Sequence, residues 1–589
     1  MKRKNRKFLN AAFLVDGYKL LHHLMYPEGT EVVFSTFTAR SNKYATIKGA
    51  NGVVVSTIQY VISDLVDRFD RDFFMSDQRR WASDEELREM KAEVLDEIAR
   101  EFSQYTGLEY ATQHFSELWD LGYLPIEIRS MDEGTVCPIK VPYLTIHNTD
   151  KRFYWVTNYL ETIISNMIWP GITTATTIRG MRSLVNDWAI KTTGSTEGTD
   201  YQLHDFSMRG LKGVDNTILS GIAFLTSSMG TDNIPAIPMI RWAYGDEGNI
   251  ANGVPATEHS IMTSEGIEGE VGIMEDLINK FPNGFLSIVS DSYDYWENLT
   301  SYIPSLKAKI VARDGKYVVR PDSGNVVHII CGTVTDIRVA TPMKELLVDL
   351  RDEYWDYCVQ ELEEENNELS DFIEYKKIGD IYYKINVKPS YGKTSNNATG
   401  EDVRYLDDVE IEIEEVEPTA EMKGSIEVLW DIFGGHVNDL GYKVLSDKIG
   451  LIYGESINYE KAAEIFEILA NKGFASTNVV MGCGSYMFSM TTRDSYGQAI
   501  KSTYQVRNGV GKNIFKDPKT DDGTKKSAKG LTVARMVDGH VKLFDEQTWD
   551  DVNSDENLLK VRFRNGEFMN ESYFSEVRER TSKADIFNV

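Results

Sequence analysis

A chain of 589 residues exceeds what one hydrophobic core usually organises, so two or more domains are expected. Its composition, 42% hydrophobic and 26% charged, is that of an ordinary globular protein, and no run of about 18 apolar residues offers a membrane span. The formal net charge of −28 argues against general nucleic-acid binding, because phosphate is repelled except at a local basic patch; a basic cleft for a small anion is still compatible with it.

The N-terminus, "MKRKNRKFLNAAFLVDGYKL", has the basic-then-apolar order of a signal peptide. Its apolar run is broken by Asn10 and ends at Asp16, too short for a leader, so it reads as a basic tail entering a first strand. "EVVFSTFTAR" (31–40) has strand character. "VVSTIQYVISDLVDRF" (54–69) spaces Ile58, Val61, Ile62, Leu65, Val66 and Phe69 as one helical face. "SDEELREMKAEVLDEIAREF" (83–102) reads as an amphipathic helix capped by Ser83, with acids in its first turn. Residues 124–149 read as two or three strands joined by tight turns.

From about 153 the texture becomes α/β. "FYWVTNYLETIISNMIW" (153–169) and "TTIRGMRSLVNDWAIKT" (176–192) read as apolar helices. Short strands then end abruptly in polar or glycine residues. "FLSIVSD" stops at Asp291, "YVVRPDSGN" at Arg320 and Asp322, "GLIYGES" at Gly454 and Glu455, and "NVVMGCGS" at Gly482 and Gly484. Functional-looking strand ends suit the carboxyl face of a β/α barrel, and a doubly wound sheet would show the same. Residues from about 335 to 440 are strongly acidic and read as a partly ordered surface insertion. After about 495 strands and turns return. The four cysteines are scattered with no CxxC pair, which predicts free thiols in a reducing, cytoplasmic setting.

Some residues could carry chemistry. In "PATEHS" (255–260), Glu258 and His259 place an acid beside an imidazole, the side chain that titrates near neutrality. "RPDSGN" sets a guanidinium and a carboxylate two residues apart on one side of a strand end, for an anion and a sugar hydroxyl or Mg²⁺, or for a local ion pair. "GCGS" after a strand could cradle phosphate. Arg493, Lys501, Lys512, Lys516, Lys525, Lys526 and Lys529 form a basic cluster or a solvated loop. In "YQLHDFSMRG" (201–210) Phe206 could stack a flat heteroaromatic ring, with Arg209 three residues on. Asp232 could accept from an amide or cap a helix.

The segments "VDGYKLLHHLMYP", "LPIEIRSMDEGTV", "YQLHDFSMRG", "GTD", "VPATEHS", "IVSDSYD", "RPDSGN", "TRD" and "NGVGKNIFKDP" stand in the order seen in the nicotinamide phosphoribosyltransferases, of the type II phosphoribosyltransferase family. The sequence resembles that family over nearly its whole length, the acidic insertion excepted. The resemblance implies an irregular β/α barrel domain (156–494) joined to an α+β domain built from both chain ends (1–155 and 495–589). It implies a homodimer with active sites at the interface. It also implies condensation of nicotinamide with phosphoribosyl pyrophosphate, with Mg²⁺, giving nicotinamide mononucleotide and pyrophosphate in NAD salvage. The alternatives are the nicotinate-using reaction and a non-catalytic binding protein on the same fold.

By matching motif, Phe206 resembles the residue stacking one face of the base, with Tyr18 of the other subunit on the opposite face and Asp16 beside it. Asp232 matches the carboxylate that bonds the carboxamide, and Arg209 and Arg320 match pocket cations. Asp291 and Asp322 match carboxylates serving the ribose and Mg²⁺. Gly454, Glu455, Gly482, Gly484 and Ser485 fall where the family binds the 5′-phosphate. Arg40, Arg493, Lys501 and Lys525 match cations of the other subunit near the phosphates. His259 matches a histidine that accepts phosphate from ATP, with Glu258 expected to orient it. Three positions depart from the family: Glu455 stands for an Asp, Ser485 for a Gly, and Gly253 for a Ser that lines a tunnel.

Overall fold

The computed structural model describes residues 9–364, 367–395, 402–454, 457–520, 523 and 525–589. It divides into two compact units. The first runs up to Ser183 and takes in Leu203–Gly253 and Gly484–Val589; the second is Leu184–Gln202 with Val254–Cys483.

A seven-stranded antiparallel sheet organises the first unit. Its order is Val510–Asn513, Ala499–Arg507, Thr30–Thr38, Pro142–Asn148, Ile126–Ser130, Lys560–Arg564 and Glu567–Phe568. The C-terminal stretch thus adds strands to both sides of an N-terminal centre. Val33, Phe34, Phe37, Tyr143, Leu144 and Ile146 are fully buried in that centre. The apolar run expected to lead into a first strand instead makes a 3₁₀ turn at Ala11–Phe13, because the Asn10 side chain accepts the Ala12 N–H and curls the chain.

The helix Asp84–Thr106 begins at Ser83 with a reciprocal capping box to Glu86 and ends at Gly107, whose φ is +70°. The two apolar helices expected at 153–169 and 176–192 are one helix of 38 residues, Val156–Thr193, running through Pro170. The helix runs on through its Pro-Gly pair, and the glycine serves packing. A Cβ on Gly171 would lie 2.0 Å from Thr57 Oγ1, and one on Gly180 would lie 2.6 Å from Ile47 Cγ1. By compactness the units divide at Ser183, inside this helix, whereas the sequence texture changes at about 153 and the resemblance implied a boundary at 155/156.

The second unit holds a parallel sheet in the order Leu286–Val289, Tyr317–Arg320, Ile449–Tyr453 and Val479–Cys483, part of a β/α barrel. Ala256 adds a parallel bridge to Ser287. The acidic segment is more ordered than its composition suggests. The helix Met343–Glu364 lies on a meander of Phe372–Ile378, Ile381–Ser395 and Asp402–Glu415, around a core including Leu346, Leu350, Tyr354, Cys358, Ile385 and Val409. The physical reason is period-two alternation: Val409, Ile411 and Ile413 face inward between Glu410, Glu412 and Glu414. All four cysteines are buried, and none forms a disulfide among the described residues. Among the described residues no helix is long and apolar enough to cross a membrane.

Candidate active site

In the second unit, three neighbouring strand ends are tied together by side chains predicted to be functional. "PATEHS" begins as a strand edge, with the Thr257 N–H donating to Ser287 O at 3.0 Å and Thr257 Oγ1 accepting the Val289 N–H at 2.9 Å. The Arg320 guanidinium donates to the Thr257 carbonyl. His259, the first residue of the short helix His259–Met262, places Nε2 3.3 Å from Asp291 Oδ1. The other Asp291 oxygen accepts the Asp322 N–H at 3.1 Å. The Asp291 carboxylate is 4% exposed and the His259 side chain 48%, so a buried acid holds an accessible imidazole.

Glu258 does not take the orienting role expected of it. Its carboxylate accepts the Ser260 hydroxyl, and the carboxylate on His259 is that of Asp291. Asp291 also has a buried acidic neighbour that sequence reasoning missed. Glu270 is 1% exposed, and burial raises its carboxyl above the usual range, with Asp291 adding to the shift. Gly454 follows the strand Ile449–Tyr453, whose Tyr453 hydroxyl donates to Gly324 O at 3.0 Å, linking that strand end to "RPDSGN". Glu455 lies outside the described residues. Gly482 is buried inside the strand Val479–Cys483 rather than in a loop after it.

The first unit assembles two further groups. The strands Leu203–Asp205 and Gly230–Thr231 pair in parallel. Asp205 is fully buried; its Oδ1 accepts the Ser207 N–H and its carbonyl accepts the Asp232 N–H, both at 2.9 Å. Burial raises the Asp205 carboxyl above the usual range. These bonds fix the turn carrying Phe206, which is partly exposed and packs its ring 4.6 Å from that of His204. Asp232 does not cap the following helix, whose N-cap is Pro235. Its carboxylate is 52% exposed and lies 3.0 Å from His204 Nε2. A Cβ on Gly253 would stand 3.8 Å from Asp232 Oδ1, so the glycine leaves one flank of the carboxylate open. Arg209 is exposed in the turn Met208–Gly210, which rests on Ser485 next to Gly484: a Cβ on Gly210 would meet Ser485 Oγ at 2.0 Å.

The second group is cationic. Lys501 is pushed down chiefly by burial, then by repulsion from Arg40, Lys516 and Arg493, with Glu161 opposing. Crowded cations favour an anion. Arg40 is oriented by its Nε donating to Gly497 O at 2.7 Å. Tyr18 stands 67% exposed; partial burial raises its hydroxyl, Glu161 and Asp16 add to this, and Arg493 opposes it. Asp16 accepts the Thr162 hydroxyl at 2.8 Å. Lys525 is exposed in a turn. Asp16, Tyr18, Arg40, Arg493 and Lys501 therefore share a neighbourhood with Glu161. Sequence reasoning did not single out Glu161; its ion pair with buried Lys19, at 2.9 Å, joins residues 142 apart in the chain.

Among the described residues no cluster of three or more His, Cys, Asp or Glu side chains could cage a metal ion. Asp291 and Asp322, the expected Mg²⁺ ligands, stand at the ends of adjacent strands, where the Asp291 carboxylate accepts the Asp322 N–H.

The profile of the nicotinate phosphoribosyltransferase (NAPRTase) family matches residues 201–394 and 411–567. These stretches enter the acidic segment from both sides, so the family likeness does not stop at that segment as expected. A nicotinamide phosphoribosyltransferase of Acinetobacter baylyi is 34% identical over 587 residues, 98% of this chain and 97% of its own. One from Mycoplasma pneumoniae is 28% identical over 523 residues, 87% of this chain and 93% of its own. Among solved structures, a nicotinate-nucleotide pyrophosphorylase from Pyrococcus furiosus is 14% identical with a TM-score of 0.48, covering 100% of both chains.

Proposed function

Because the chain belongs to the nicotinate phosphoribosyltransferase family, we propose that it condenses nicotinamide with 5-phosphoribosyl 1-pyrophosphate, giving nicotinamide mononucleotide and pyrophosphate in NAD salvage. The observation that carries this reading is similarity, almost end to end, to relatives named nicotinamide phosphoribosyltransferase. The exposed Asp232 carboxylate supports nicotinamide over nicotinate. It accepts from a neutral carboxamide N–H and repels a carboxylate.

In this reaction the bond from ribose C1 to pyrophosphate oxygen breaks and a bond from C1 to the pyridine nitrogen forms. The ring nitrogen supplies its lone pair and no proton moves. The transition state carries positive charge on the ribose and negative charge on the leaving group, so fixed charges matter more than a strong base. Asp322 and Asp291 suit the ribose side and Arg320 the phosphates, and the cation group of Arg40, Arg493 and Lys501 suits the phosphates bound by a second subunit. Phe206 stacks the base and orients its nitrogen, with Tyr18 of a second subunit closing the other face in a homodimer. Mg²⁺ carried on the diphosphate, held by Asp291 and Asp322, would neutralise leaving-group charge.

His259 is the proposed acceptor of a phosphoryl group from ATP. An ionised carboxylate only accepts, so Asp291 keeps the imidazole proton on Nε2 and leaves the Nδ1 lone pair as nucleophile. Nδ1 attacks the γ-phosphorus, the bond to ADP oxygen breaks, and the Nε2 proton is shared with Asp291.

The test is product analysis by chromatography with purified protein, phosphoribosyl pyrophosphate, Mg²⁺ and either nicotinamide or nicotinic acid. Mononucleotide from nicotinamide is expected. Product from nicotinic acid alone would assign the nicotinate reaction, and product from neither would leave a binding protein.

A further inference from the structure

Asp232 is not held by its backbone alone. Its N–H donates to the Asp205 carbonyl, which fixes the Cα, and its side chain meets His204 Nε2 at 3.0 Å. A carboxylate has no proton to give, so His204 is the donor and the proton sits on Nε2. That bond engages Oδ1, and the half-exposed carboxylate keeps Oδ2 able to accept from a ligand. The His204 side chain is 12% exposed, so solvent does little to weaken its donor, whereas the carboxylate it holds is half open. Gly230 across the strand pair makes this placement possible: a Cβ there would stand 2.7 Å from His204 Nδ1. The same ring also packs on Phe206 at 4.6 Å, with 41° between the ring planes.

We infer that His204 is a positioning residue for substrate choice, which locks the Asp232 carboxylate in the rotamer that accepts the carboxamide N–H. This rests on the reading of Asp232 as the carboxamide acceptor. A carboxylate free to rotate spends part of its time off the amide and its charge is spread over more positions. Both its attraction for the amide and its repulsion of nicotinate then fall. His204 therefore sets how sharply the two bases are told apart, without touching either.

Two substitutions separate the hydrogen bond from the ring packing. His204→Phe keeps an aromatic face on Phe206 and removes the donor. His204→Gln gives up the ring and keeps an N–H at a reach close to that of Nε2. The readout is the ratio of kcat/KM for nicotinamide to that for nicotinate. His204→Phe is expected to lower this ratio about tenfold, the loss of one hydrogen bond to a charged group. His204→Gln is expected to keep it within about threefold, with the ratio rather than kcat alone as the measure, since general structural damage would slow both bases alike. Loss of the ratio in His204→Gln with retention in His204→Phe would assign His204 to ring packing and overturn the proposal. Equal ratios in wild type and both variants would also overturn it. A wild type that prefers nicotinate would sink the functional reading itself, and this inference with it.

Discussion

At the scale of single residues, the candidate chemistry depends on which atom each side chain is bound to. Asp232 is predicted to exclude nicotinate by charge, so Asp232→Asn should lower the preference for nicotinamide by about tenfold or more in parallel kcat/KM measurements. An unchanged preference would refute that role. The geometry around His259 makes a second prediction. Asp291→Asn should cut acid-labile phosphate incorporated from labelled ATP several-fold, about what loss of one oriented charged partner allows. Glu258→Gln should leave incorporation near wild type, because Glu258 bonds Ser260 instead. His259→Ala should incorporate none, and phosphate retained there would remove the assignment. The order of motifs singled most of these residues out from sequence. Their partners were not legible. His204 and Asp232 are 28 residues apart and meet only because two short parallel strands set them side by side. The same holds for His259 and Asp291, 32 residues apart, and explains why the adjacent Glu258 drew the orienting role in the sequence reading.

At the scale of elements, the acidic segment is anchored by buried charge. Glu427, on the helix Ser425–Phe433, accepts Lys377 Nζ at 2.6 Å and the Tyr382 hydroxyl at 2.7 Å, and lies 3.4 Å from Lys472 Nζ. Lys377 and Lys472 are almost wholly buried. Burial alone would raise the Glu427 carboxyl, but Lys472 and Lys377 outweigh it and hold it below the usual range. A depressed carboxyl stabilises the fold above its unfolded pKa and loses that contribution as pH falls through the folded one. Burial pushes Lys472 down to about 8, with Glu427 opposing. Between there and the ordinary lysine value of 10.5 the unfolded chain binds more protons, so this group adds stability as pH rises. Glu427→Gln strands two buried ammonium groups and is expected to cost about 3–5 kcal/mol in urea unfolding, with the acid-side loss of stability reduced. A change below about 1 kcal/mol would show the network to be slack. From sequence this segment read as a partly ordered surface insertion, because its net acidity hides the alternation of Val409, Ile411 and Ile413. The gap between the helices read at 153–169 and 176–192 closes for a related reason. Proline and glycine interrupt a helix by local propensity, and here close packing of Gly171 against Thr57 outweighs it.

At the scale of the whole molecule, a net charge of −28 surrounds a small cation group, so the candidate phosphate site works against the general field of the protein. Lys501→Met should raise KM for phosphoribosyl pyrophosphate about tenfold and flatten its dependence on ionic strength, as steady-state assays across a salt series would show. An unchanged KM would place the phosphates elsewhere. Composition made the class legible at this scale. The interleaving of both chain ends in one sheet was visible only through the family likeness, because strand register between residues near 34 and 504 leaves no local mark in the sequence. The four buried thiols have a practical consequence. Burial disfavours the thiolate of Cys137, Cys331 and Cys358, and each sulfur is shielded from reagent, so alkylation requires the surrounding structure to open. Cys137 lies in the antiparallel sheet unit, Cys358 in the acidic segment's helix, and Cys331 and Cys483 with the parallel strands. The unmodified chain therefore carries its own set of opening clocks. Peptide masses after timed alkylation would tell which body yields first, with no probe attached and no residue changed.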